Sequence, residues 1–226
     1  MAHPRRGPVI EAVYGLGTVV APRTFQLKTG VNLVLRKVFV KEGDNISAGT
    51  PLVQFDEPVS TRAPFDGIVT SVPFREGEVI FPQVPVVTLV NLSNLYLEVS
   101  LEQQAALRVR KSQAAVVTFE SLRSQRFNGR VTSVYPKDNQ FIVRIDLDKF
   151  PEGALPGMTA DTAIEIARRE NVLTVPLLSI SDGKTTRVRD GHRAKTPVQI
   201  GIIDGQWAEI ISGDVQEADE VILRGK

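Results

Sequence analysis

The chain contains no cysteine, two histidines, two methionines and one tryptophan among its 226 residues. Without cysteine there is no disulfide framework, no thiolate metal site and no cysteine nucleophile. The two imidazoles, His3 and His192, have no partner at ligand spacing, so no metal site is expected. Charge of one sign is missing too. Twenty-seven Lys and Arg face 26 Asp and Glu, and a net charge of +1 gives no electrostatic reason to expect nucleic acid as a partner. No apolar run reaches the length of a membrane-spanning helix, and no heptads announce a coiled coil. Residues 1–8 lack the apolar core of a signal peptide, so a protein working outside the cytoplasm would need a targeting segment that this sequence does not hold.

What the sequence does have is a period of two. Leu95, Leu97, Val99 and Leu101 alternate with Tyr96, Glu98 and Ser100, and Phe141, Val143, Ile145 and Leu147 alternate with mostly polar neighbours. Half-buried strands read this way, because successive side chains point to opposite faces. Turn signals punctuate the strands at Asp66-Gly67, Asn128-Gly129, Asp182-Gly183, Asp190-Gly191 and Asp204-Gly205. The one helix expected is short, over residues 102–109. The chain is therefore mainly β.

Catalytic motifs fail one by one. Gly15-Leu16-Gly17 has Val20 where a dinucleotide loop needs its third glycine, and Gly183-Lys184-Thr185 has Leu178 where a phosphate loop needs its first. Asp146, Asp148 and Glu152 lack the glycine and spacing of a calcium loop. Ser121, Ser124 and Ser133 sit in no nucleophile elbow. Trp207, alternating with Glu209 and Ile211, reads as packing. The expectation is a protein with no catalytic residues and no cofactor.

An internal repeat is more informative. Lys41-Glu42-Gly43-Asp44 aligns with Arg75-Glu76-Gly77-Glu78 at an offset of 34 residues, and the same offset brings Leu35 to Val69, Val38 to Val72 and Ile46 to Ile80. Pro51-Leu52-Val53 meets Pro85-Val86-Val87 in the same register. A duplicated β unit thus occupies residues 30–56 and 64–90. Gly43 and Gly77 follow a strand beside a carboxylate, where the turn calls for positive φ. Gln83 stands where the first unit has Gly49, which argues against the same turn at that one place.

The run Val38-x-Val40-x-x-Gly43-Asp44-x-Ile46-x-x-Gly49-x-x-Leu52 resembles half of a lipoyl or biotinyl domain, a flattened sandwich with one layer expected from each half. Carrier versions hold a modified lysine on the turn between the halves; here residues 55–61 read Phe-Asp-Glu-Pro-Val-Ser-Thr, with no lysine. The rest of the chain resembles the periplasmic adaptor, or membrane fusion protein, family (HlyD-like, as in RND efflux pumps). Gly17-Thr18-Val19-Val20 is similar to its leading strand. Asn91-Leu92-Ser93-Asn94-Leu95 is similar to its approach to a small β-barrel with one short helix. Pro156-Gly157-Met158 with residues 160–166 is similar to the closing strand, and Val175-Pro176 to the start of a membrane-proximal domain.

The resemblance implies an elongated protein: a lipoyl-like module at 29–90, a barrel from 21–28 and 91–167, and a membrane-proximal module from 1–20 and 168–226, joined flexibly. It implies an adaptor in the periplasm, held at the inner membrane by an N-terminal segment absent from this chain. Its partners would be an inner-membrane transporter, RND-type by first expectation, an outer-membrane channel, and further copies of itself. Those copies would form a ring, expected to be hexameric in the complex, with the isolated subunit a monomer. The family's long helical hairpin is missing between Asp56 and Ala63, so a channel contact would fall to the lipoyl tip at Glu57, Pro58, Val59, Ser60 and Thr61. Two basic groups, Arg108, Arg110 and Lys111, and Arg123, Arg126 and Arg130, are the candidate transporter or subunit contacts, against a plain reading as solvated faces. Three alternatives stay open: an adaptor of an ATP-driven exporter, a lipoyl or biotinyl carrier module, and a free-standing envelope binding module for an apolar ligand.

Overall fold

The computed structural model describes residues 1–56, 60–138 and 140–223. Strand β1 (Arg5–Val20) opens the chain, and a sandwich of eight short strands follows it. These are β2 (Thr24–Lys28), β3 (Leu33–Val38), β4 (Asn45–Ile46), β5 (Pro51–Phe55), β6 (Ser60–Arg62), β7 (Gly67–Ser71), β8 (Val79–Ile80) and β9 (Pro85–Val90). They form two four-stranded sheets in the orders β2-β9-β7-β4 and β6-β5-β3-β8.

The 34-residue offset maps β3 onto β7, β4 onto β8 and β5 onto β9. It also maps β2 onto β6, so the repeat begins one strand earlier than the sequence suggested. That corrects the placement of 21–28. Strand β2 pairs with β9 in the sandwich, from Thr24 opposite Val90 to Lys28 opposite Pro85, and takes no part in the barrel. Nor does each unit make its own layer. Strands β2 and β4 of the first unit lie in one sheet with β7 and β9 of the second. The exchange lets equivalent apolar residues fill one core, with Leu35 and Val69, Leu52 and Val86, Val53 and Val87, and Phe55 and Leu89 all buried.

The duplicated Lys/Arg-Glu-Gly-acid motif has a physical meaning. Its last residue caps its own turn: Asp44 Oδ2 accepts the Lys41 N–H at 2.8 Å, and Glu78 Oε2 the Arg75 N–H at 3.0 Å. Its glutamate reaches across to the other unit: Glu42 accepts the Val72 N–H at 2.8 Å and Glu76 the Val38 N–H at 3.0 Å. The glycines take φ of 91° and 92° and donate to Val69 and Leu35. Gln83 adopts φ 66° beside Gly49's 82°, and both N–H groups close the same kind of bond, to Thr29 and Ala63. The shared hydrogen bond holds the turn although glutamine disfavours this backbone.

Strands β10 (Tyr96–Leu101), β11 (Ala114–Phe119), β12 (Phe127–Lys137), β13 (Gln140–Leu147) and β14 (Thr159–Pro176) continue the chain. With β1 they run in the order β1-β10-β13-β12-β11-β14, and β1 pairs with β14 to close a six-stranded barrel. The expected alternation fills it: Leu97, Val99, Val143 and Ile145 are fully buried, with Leu101, Phe119 and Ile164 beside them. Helix α1 (Gln103–Ala106) is shorter than expected, and Ala106 and Val109 plug one opening of the barrel core. Asn128-Gly129 is not a turn but lies inside β12, facing Val116 and Ala115, and glycine is needed at 129 because a side chain there would meet Leu147 Cδ2 at 2.7 Å and Asp146 O at 2.8 Å.

Residues 1–20, expected in the membrane-proximal module, are divided. Positions 12–18 of β1 pair with β14 residues 159–165 in the barrel wall, while Arg5–Gly7 pair with Val172–Thr174 beyond it. One ladder therefore runs through both modules, bent by irregularities after Gly7 and Glu11. The free joint expected there is instead hydrogen-bonded sheet. Beyond the barrel lie β15 (Ile180–Ser181), β16 (Lys184–Arg189), β17 (His192–Pro197), β18 (Gln199–Asp204), β19 (Trp207–Ser212) and β20 (Glu220–Val221). Strands β18 and β19 extend the sheet from the end of β14, and β15, β16, β17 and β20 form a second sheet over Val175, Val198, Val215 and Val221.

Candidate assembly surfaces

Strands β5 and β6 flank the segment expected to form the lipoyl tip. Asn91, leaving the sandwich for the barrel, donates from Nδ2 to Asp66 O, so the bend before β7 lies at the barrel joint. Strand β5 starts near that bend, with Pro51 opposite Arg62, and runs away from it to Phe55. Phe55 and Ser60 thus lie at the end of the sandwich away from the barrel. Glu57, Pro58 and Val59 lie outside the described residues. Ser60 pairs with Gln54, and Thr61 Oγ1 donates to Val53 O at 3.4 Å.

The basic groups do not gather as the sequence grouped them. Arg108 donates to Glu11 of β1 at 2.6 Å, and Arg110 donates back to Leu107 O and Val109 O. Both fasten the loop after α1. Arg130 joins this end, because Ser112 and Gln113 bond to Val131. Arg123, paired with Glu120 at 3.7 Å, and Arg126 sit at the opposite end of β11.

Two features of the barrel's outer wall were missed in the sequence. The first centres on Glu98 of β10. Tyr135 Oη and Lys137 Nζ each donate to its carboxylate at 3.0 Å, Tyr96 Oη approaches at 3.4 Å, and the Arg144 guanidinium lies 4.0 Å over the Tyr96 ring. Burial pushes the Glu98 carboxyl up, but the bonds from Lys137 and Tyr135 outweigh it and hold the group below its ordinary range. The second is apolar. Tyr14 and Leu16 of β1 and Val116 of β11, on either side of β14, point outward and are exposed by 75%, 59% and 37%. The sequence signal was a strand apolar at both parities, Val13-Tyr14-Gly15-Leu16, where a half-buried strand keeps one parity polar.

The discarded motifs now have places. Gly15 and Gly17 lie in β1, where a side chain would meet Val99 and Leu101 at 2.7 Å or Leu97 at 2.5 Å. Glu209, beside Trp207, is a buried carboxylate that accepts from Arg169 at 2.9 Å and from the Ile202 N–H at 3.0 Å. Among the described residues no three His, Asp or Glu come together as metal ligands, and no helix is long and apolar enough to cross a membrane.

Residues 94–168, from β10 into β14, match the family model for the CusB-like β-barrel domain. The barrel's sixth strand, β1, comes from outside the matched segment, ahead of the sandwich. Macrolide export protein MacA of Escherichia coli O157:H7 is 25% identical over 177 residues, covering 71% of this chain and 47% of MacA. Pyoverdine export membrane fusion protein PvdR of Pseudomonas aeruginosa is 23% identical over 197 residues, covering 71% of this chain and 50% of PvdR. The chain spans about half the length of these curated relatives. Among solved structures, MacA from Actinobacillus actinomycetemcomitans superposes with a TM-score of 0.81 at 17% identity, over 100% of this chain and 99% of that one. ZneB from Cupriavidus metallidurans gives 0.63 at 15% identity, over 97% and 90%. The resemblance to membrane fusion proteins therefore stands, and so does the mainly β architecture.

Proposed function

We propose that the chain is a non-catalytic adaptor of an export assembly, working in the periplasm and linking an inner-membrane transporter to an outer-membrane channel. The observation that carries this reading is the order of its modules: a lipoyl-type sandwich inserted between the first two strands of a CusB-like barrel. The relatives that align with most of the chain are export proteins, which supports the same reading. A sandwich without a lysine between its units offers no amine for a lipoyl or biotinyl group, so its duplicated turns serve shape.

Transporter class is the finer question. The first reading, a proton-driven RND transporter, is supported by the barrel's similarity to the CusB-like domain. Similarity to MacA favours the second reading, an adaptor of an ATP-driven exporter. Under either reading several copies, six in the complete assembly, surround the export path, and the tip at Glu57–Thr61 faces the channel.

Affinity purification of the tagged protein from detergent-solubilised membranes of its native host tests this. The protein should bring down a transporter and a channel, and replacing residues 57–61 with glycine and serine should lose the channel alone. Unchanged channel recovery from that variant would move the contact elsewhere. Recovery of neither partner by the well-expressed unaltered protein would overturn the adaptor reading.

A further inference from the structure

The duplication supplies an internal comparison for the surface of the sandwich. At the 34-residue offset Val79, Phe81 and Val84 correspond to Asn45, Ser47 and Thr50. The two turns are built alike, with Gly49 and Gln83 at positive φ closing the same kind of bond, so the turn itself does not require apolar residues. Val79, Phe81 and Val84 are nevertheless exposed by 49%, 61% and 37%. A fourth, Val31, is 59% exposed, whereas its counterpart Phe65 packs against the sandwich core.

The two turns lie at opposite ends. The polar one is held at the barrel joint, where the Ala48 N–H donates to the Asp66 carboxylate and Asp66 O accepts from Asn91. The apolar one is at the end away from the barrel. Leu33 and Val34 pair with Ile80 and Val79, Val34 exchanges hydrogen bonds with Asp56, and the Gln83 N–H donates to Thr29 O. These bonds join segments 29–34 and 79–84, and neither segment holds an ionisable residue. A lone exposed apolar side chain is ordinary on a soluble protein. Four on two joined segments, without charge, make a patch of the kind that marks a contact surface.

We propose that the outer-membrane channel seats on Val31, Val79, Phe81 and Val84, held by apolar contact and not by charge. Position selects the occupant. Copies standing side by side around an export path turn their end patches the same way, toward what lies beyond the sandwich and not toward one another. The missing charge selects the chemistry. The channel's facing surface is apolar, because a charged group set against this patch would lose its water and gain no partner. The inference rests on the adaptor reading and deepens it, adding to the contact at 57–61 a neighbouring surface of stated chemistry.

The first unit supplies the test variant. Val79→Asn with Phe81→Ser and Val84→Thr gives the second turn residues with which the first already folds. Full-length protein, unaltered or so altered, would be purified by its tag from detergent-solubilised membranes of the native host, at low and at high salt. The unaltered protein should recover transporter and channel, with the channel undiminished at high salt, since salt screens charges and leaves apolar contact standing. The variant should keep the transporter and lose the channel. In parallel, a photo-reactive phenylalanine analogue at position 81 of the otherwise unaltered protein should crosslink to the channel. Undiminished channel recovery by the variant, or loss of the channel from the unaltered protein at high salt, would overturn the proposal. So would a position-81 crosslink only to another copy or to the transporter, or no crosslink at all. In each of these cases recovery of transporter and channel by the unaltered protein at low salt would leave the adaptor reading intact. Recovery of neither would overturn both.

Discussion

Two glycines and one buried carboxylate show how much single positions decide. Gly43 and Gly77 have open space around the position of a Cβ, so their value lies in positive φ alone. Alanine at either should cost about 1 kcal/mol, since the left-handed backbone is disfavoured by roughly that much for other residues. Equal losses in urea unfolding are expected, because the two turns make equivalent hydrogen bonds; a loss at one position only would contradict the equivalence. Asp219 is almost fully buried, takes a two-pronged bond from Arg189 at 2.6 and 2.9 Å, and accepts the Gln216 N–H at 2.7 Å. The arginine bond, against the opposing effect of burial, holds its carboxyl below the ordinary range. A lowered folded-state pKa adds stability that is complete above the unfolded value, near 4 for Asp, and is lost as pH falls through the folded value. Asp219→Asn should therefore be less stable than the unaltered protein at pH 7, with the gap narrowing toward pH 3. A gap independent of pH would mean that the charge of Asp219 does not matter.

At the scale of elements, β1 joins the modules. Gly17 faces inward where Leu97 leaves no room, so Gly17→Val should destabilise the barrel by about 1–3 kcal/mol, the usual range for overpacking. Thr18→Val, on the exposed face of the same strand, should change the thermal midpoint little. Equal effects at both positions would contradict the inward assignment of Gly17. This strand also shows what was legible in the sequence. The repeat could be read because its turns are local, with glycine, acid and apolar positions recurring within one short motif. The strands of the barrel core could be read because one parity was plainly apolar. The split of residues 1–20 between two modules, and the return of β2 to the sandwich, could not, because both depend on partners far away in sequence, from Lys28 opposite Pro85 to Arg5 opposite Thr174. The Tyr14–Leu16–Val116 wall was hidden for the same reason: its members meet only when β1, β14 and β11 are adjacent. The partners of the basic residues were only partly legible, because Arg110 turns to the nearby Leu107 O and Val109 O while Arg108 reaches Glu11, 97 residues away.

For the whole molecule, the continuous β1/β14 ladder joins barrel and membrane-proximal module, while the sandwich hangs on two connectors, 21–23 and 91–95. Bending is thus expected between sandwich and barrel, not between barrel and membrane-proximal module. Hydrogen exchange checks this, with amides of residues 9–11 as protected as the barrel strands and those of the connectors faster. Rapid exchange at residues 9–11 would place a hinge there. An unmodified intact mass is expected as well, because a lipoyl or biotinyl adduct would revive the carrier reading. The most direct test of the adaptor role is in-cell crosslinking of the tagged full-length protein in its native host, with captured partners identified by mass spectrometry. The predicted result is an inner-membrane transporter crosslinked to the barrel or membrane-proximal module, together with copies of the chain itself. Capture of no transporter, in cells that express the protein well, would contradict the account.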